Sequence, residues 1–119
     1  MFAAGYLHAE TKSPEGKQIF DKNCSYCHSM TPPAKSAPPI LGIALHYHEA
    51  FTEKEKGVKH MVKFMKKPDE KDSKLEAKAV SRFGLMPASA LSEAELKTAA
   101  EWLWDSYDPA FRSPGSCGK

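Results

Sequence analysis

The pentapeptide Cys24-Ser25-Tyr26-Cys27-His28 constrains this 119-residue chain more than any other feature. Two thiols three residues apart, with an imidazole directly after the second, suit three kinds of chemistry: a redox dithiol, half of a metal site, or the covalent seat of a prosthetic group. A redox Cys-x-x-Cys pair needs a strand-rich βαβ setting, and no stretch of this chain alternates apolar and polar residues as a strand would. A zinc site would use Cys24 and Cys27 as one half and need two more ligands. The third cysteine, Cys117, lies in the Gly/Ser/Pro-rich tail RSPGSCGK and reads as an unpaired surface thiol. His46, His48 or His60 would therefore have to complete the site, and they form no recognisable second half.

The third chemistry accounts for the spacing. Cys-x-x-Cys-His is the attachment signature of c-type haem. Thiols three apart on a helical turn reach the two vinyl groups along one edge of a porphyrin and form thioethers. The next residue, His28, then lies under the ring centre and binds iron from one side.

The rest of the chain has to support a five-residue motif, and its organisation does. At this length the chain is one domain. Its 41% hydrophobic and 27% charged residues are ordinary for a globular protein. A net charge of +2, with no basic arm carrying interleaved aromatics, gives no case for nucleic acid. No apolar run is long enough to span a bilayer. Residues 1–12 read as the remnant of an export leader or a frayed terminus, 13–108 as the folded domain, and 109–119 as a flexible tail.

Within the domain the pattern is helical throughout. Ser13-Pro14-Glu15 starts a first helix, with Ser as N-cap and Pro at the first helical position; it is expected to run through Cys27. Four prolines between Met30 and Gly42 predict an extended loop there. Val58, Met61, Val62 and Met65 recur at helical spacing in a second helix, about 52–67, which Pro68 ends. A shorter helix covers about 73–82, with Leu75, Ala79 and Val80 inward, and Gly84 stops it. Ser92 and Glu95 form a capping box for a last helix, whose stripe is Leu96, Ala99, Ala100, Leu103 and Tyr107, flanked by Trp102 and Trp104. The expected fold class is all-α.

Haem iron held by His28 needs a second strong ligand if it is only to change valence. In RFGLMPAS, Met86 stands directly before Pro87, which keeps the backbone out of a helix so that a thioether can be presented from a loop. A lone methionine is more often a core side chain, but this loop setting favours ligation. Ile40, Leu41, Phe64, Phe83 and Leu85 are candidates to wall the ring from water.

On these residues the chain resembles the small class I monohaem cytochromes c, from about Ser13 to Tyr107. CSYCH and LMP occur in the expected order. The resemblance implies that the helix carrying Gly16 and Phe20 crosses the C-terminal helix, with Trp102 as the aromatic partner of the small residue and Ala99 allowing close approach. PPILG is similar to the family's Pro-x-Leu-x-Gly loop, with Pro38, Ile40 and Gly42 at the three positions. There the proline carbonyl is implied to accept the proton on the other ring nitrogen of His28. The segment between Gly42 and Lys71 matches the family less well. His46, His48 and His60, and the core methionines Met61 and Met65, are the competitors of Met86 for iron.

With His28 and Met86 both on iron no position is left for a substrate, so the expected function is one-electron transfer between redox partner proteins by a monomer with one covalent haem, and not catalysis. Two alternatives are a haem subunit of a multi-subunit oxidoreductase and a five-coordinate haem enzyme or gas sensor. Between Glu53 and Lys78 nine lysines stand against six acids. They form either a docking face for an acidic partner or an ordinary solvated helix face. In bacteria covalent haem attachment takes place outside the cytoplasmic membrane, so the resemblance implies the periplasm.

Overall fold

The computed structural model describes residues 14–74 and 77–111. The expectations for Ser13, Leu75 and Cys117 lie outside the described residues, as do those for the Ala79 side chain, for 1–12 and for most of the tail. Among these residues five α-helices follow one another: α1 (Pro14–Asn23), α2 (Ile40–Ala50), α3 (Lys54–Lys66), α4 (Ala77–Phe83) and α5 (Glu93–Asp105), with a 3-10 turn at Glu70–Asp72 between α3 and α4. No strand occurs among the described residues.

α5 is the spine. Its N-terminus carries the expected box: Ser92 Oγ accepts from the Glu95 N–H at 3.1 Å, and Glu95 Oε1 accepts from the Ser92 N–H at 3.0 Å. Two of the helix's four orphan donors, or their neighbours, are thereby satisfied. α1 and α3 both pack on α5, and each contact is a glycine against a tryptophan. Gly16 on α1 faces Trp102: a methyl there would run into the Trp102 side chain and lie 2.9 Å from the Thr98 carbonyl. The Phe20 and Trp102 rings stack beside it, centroids 4.9 Å apart. Gly57 on α3 meets the ring of Trp104 in the same way. Close helix crossings need a side chain missing on one partner, and the first of these is the pairing that the resemblance implied.

Three sequence expectations are corrected. α1 ends at Asn23 and does not reach Cys27, because the Ser25 N–H reaches back five residues to the Phe20 carbonyl (2.8 Å) and the chain then tightens into a turn. The proline loop stops at Pro39: Ile40 to Gly42 belong to α2, a helix that the proline count hid. On α5 the buried face includes Trp102 and Trp104 together with Leu96, Ala99 and Ala100, while Leu103 and Tyr107 are only half-buried.

Burial falls into two clusters on either side of α5. Phe20, Ile40 and Trp102 form one, with Cys24, Met30 and Ile43 packed against it. Tyr47, Val58, Met61, Ala100 and Trp104 form the other. The first places the core directly behind the Cys24–His28 turn.

Candidate haem site

The turn is closed by its own backbone. Cys24 N–H donates to the Phe20 carbonyl at 2.8 Å, and the N–H groups of Cys27 and His28 both donate to the Cys24 carbonyl, at 3.1 and 2.9 Å. The two cysteines therefore sit on consecutive corners of one turn, Cys24 half-buried against the Phe20 cluster and Cys27 exposed. They are free thiols, not a disulfide. Burial pushes the Cys24 thiol above its ordinary value. That is the reverse of what an activated redox cysteine needs.

The loop behind the turn is held by α2. No side chain caps α2, since its N-cap residue is Pro39. Its first amides find partners across the loop instead: Ile40 N–H donates to the Ser29 carbonyl (2.7 Å) and Leu41 N–H to the Met30 carbonyl (3.0 Å). These bonds bring Pro38 over His28, whose Nδ1 lies 2.7 Å from the Pro38 carbonyl oxygen. A carbonyl can only accept, so Nδ1 carries the proton and Nε2 keeps its lone pair. Burial lowers the His28 pKa, outweighing the bond to Pro38, which acts the other way, so the neutral imidazole is favoured. A neutral imidazole fixed through Nδ1 is the form that ligates a metal.

Met86 stands in the stretch 84–90, which has no regular structure. Gly84, at φ +78°, ends α4 with its N–H on the Val80 carbonyl at 2.8 Å, a left-handed cap that suits glycine. Ser89 N–H then donates to the Met65 carbonyl at the end of α3, 2.8 Å. Met86 is half-buried and Pro87 exposed. Phe83 is half-buried under the Arg82 guanidinium, 4.8 Å from its ring centroid, and Leu85 is 43% exposed. Ile40 is fully within the core.

Among the described residues the other histidines, His46, His48 and His60, are engaged elsewhere. His48 is stacked between Trp104 and Tyr107, at centroid distances of 3.8 and 4.0 Å, and its Nε2 donates to the Trp104 carbonyl at 3.0 Å. His60 Nδ1 is 2.9 Å from the Tyr47 hydroxyl. His46 lies 3.4 Å from Glu49. Among the described residues no three His, Cys, Asp or Glu side chains come together to hold a metal ion, so the zinc reading finds no second half there. Sequence reasoning missed the stack around His48 and the Tyr47–His60 pair; the helical spacing of Ile40, Ala44 and Tyr47 was the signal available.

The residues fit a covalent haem: two free thiols on one turn, a neutral imidazole with its Nε2 unprotonated, and an apolar cluster directly behind. An all-helical fold with such a turn defines a c-type cytochrome. The family model described as Cytochrome c matches residues 13–106, and the chain belongs to the cytochrome c family; its small size fits a monohaem class I member. It is a haem c electron-transfer protein, of a family whose members are generally carriers without enzymatic activity. Among curated proteins and among solved structures no match was found. No helix of the described residues is long and apolar enough to cross a membrane.

Proposed function

We propose that the protein is a one-electron carrier with a single haem, joined by thioethers to Cys24 and Cys27 and ligated by His28 and Met86. The haem, when bound, supplies the iron that alternates between ferrous and ferric states. His28 gives the stronger ligand, and the 2.7 Å bond from Nδ1 to the Pro38 carbonyl is the observation that carries the reading. That bond fixes the tautomer and the ring plane, and it makes the imidazole a better electron donor. Met86 gives a thioether, which favours the ferrous state and raises the potential. Phe20, Ile40 and Trp102 keep water from the protein side of the attachment turn, which disfavours the more charged oxidised state.

The partners are redox proteins, with an acidic docking surface as the favoured chemistry. α3 supports this: Lys56, Lys59 and Lys63 recur at helical spacing and are exposed, opposite the buried Val58 and Met61. Part of the lysine excess is already neutralised, by Lys54 with Asp105 (2.9 Å), Lys66 with Glu93 (2.8 Å) and Lys56 with Glu53 (3.8 Å). Weak, salt-screened docking of this kind suits fast exchange. Export to the periplasm follows from where bacterial haem attachment takes place.

Mass spectrometry of the denatured holoprotein tests the attachment. The reading expects the chain mass plus one haem, with loss of the haem when Cys24 and Cys27 are both replaced by Ala. A haem released intact from the wild-type chain would contradict it.

A further inference from the structure

The bond between Ser89 and Met65 has no part in the attachment of haem, yet it lies three residues from the proposed sixth ligand. α3 ends at Lys66, so its last carbonyls lack partners within the helix. The Lys63 carbonyl is taken by the Lys67 N–H at 3.0 Å, and the Met65 carbonyl by the Ser89 N–H at 2.8 Å. The acceptor is fixed. Met65 packs against the cluster of Tyr47, Val58, Met61, Ala100 and Trp104, and α3 is keyed to α5 by Gly57 under Trp104. The next residue, Lys66, reaches Glu93 at the start of α5, 2.8 Å away. On the donor side, Ser89 Oγ accepts from the Leu91 N–H at 3.2 Å, a local turn that leads into the capped start of α5. Three successive links thus close a frame from the end of α3 through Ser89 to the start of α5.

Met86 hangs from that frame. Three residues span at most about 10 Å when extended, and Pro87 removes part of their freedom. On the other side Gly84 is fixed to the end of α4. We propose that Ser89 and Met65 are positioning residues for the sixth ligand: the Ser89 N–H to Met65 carbonyl bond tethers the Met86 loop to α3 and holds the thioether in place against displacement. The inference rests on Met86 being that ligand. A tether of this kind acts on the fraction of molecules in which the iron is open, and so on the apparent affinity for an external ligand. It does not depend on the strength of the sulfur–iron bond itself.

The test uses the oxidised holoprotein and imidazole as the external ligand. Ser89→Pro removes the donor, and Ser89→Ala keeps the N–H while losing only the Oγ bond to Leu91. Lys54→Gln breaks the α3–α5 bridge at the far end of α3. The tether predicts imidazole binding about fivefold to tenfold tighter in Ser89→Pro, a smaller gain in Ser89→Ala, which loses only the Oγ link to Leu91, and Lys54→Gln close to wild type. Equal affinity in Ser89→Pro and wild type, or the same gain in Lys54→Gln, overturns it. Met86→Ala is the control for the underlying reading: if its iron spectrum and imidazole affinity match wild type, the ligation assignment has failed and not the tether. Hydrogen exchange on the unmutated protein gives a second measure that needs no variant to fold. The Ser89 amide is expected to exchange about tenfold or more slower than that of Ala88, and equal rates for the two overturn the proposal.

Discussion

Gly57 on α3 lies against the indole of Trp104 on α5 so closely that a methyl group on Gly57 would stand 2.7 Å from Cε3 and collide with Cζ3. The ring cannot swing aside, because it is 8% exposed and its other neighbour is the stacked imidazole of His48. Gly57→Ala therefore pits a helix-propensity gain of about 1 kcal/mol against overpacking of about 1–3 kcal/mol. The net expectation is a loss of about 1 kcal/mol in denaturant unfolding of the holoprotein. A stabilised variant would mean that α3 and α5 can separate freely.

His48 joins α2 to the end of α5 by two ring stacks and one hydrogen bond. Replacing it with Gln keeps an amide donor and loses the stacking, so the expected cost is about 1–2 kcal/mol. Because the ring is used in this way, His48→Gln should leave the spectrum of the oxidised iron unchanged, and so should His46→Gln and His60→Gln. A change of ligand band in any of the three would identify that histidine as an iron ligand.

His60 gives the protein a pH dependence. Its pKa is lowered, first by partial burial, then by Lys74 and Lys63, with Asp72 acting in the opposite sense. A histidine with a depressed folded pKa binds its proton more readily when unfolded. The stability it contributes is whole above the unfolded value of about 6.5 and is lost as pH falls through and below it. The side chain is partly exposed, so the effect is under about 1 kcal/mol. Unfolding midpoints measured from pH 8 to 5 should fall less steeply in His60→Gln than in wild type. The same slope in both would remove His60 as the cause.

Much of this was legible in the chain because the signals are local. The attachment motif, the Ser92–Glu95 box and the Gly84 stop are each written in a few adjacent residues. The Gly16–Trp102 crossing followed from the family resemblance. α2 was hidden because its start carries no polar cap; its first amides are satisfied by Ser29 and Met30, residues on the far side of a loop. The early end of α1 was hidden too, since the Ser25-to-Phe20 bond leaves no mark in periodicity. The second glycine–tryptophan contact and the Ser89–Met65 bond join residues far apart in sequence, and no pattern of spacing announces either.

The central claim is that Met86 would hold the haem iron together with His28. The absorbance spectrum of the oxidised protein tests it most directly, at the weak red-edge band that methionine-ligated ferric haem shows. The account predicts this band in wild type, its loss in Met86→Ala, and its retention in Met61→Ala. Absence of the band from the wild-type protein, or its survival in Met86→Ala, would contradict the assignment.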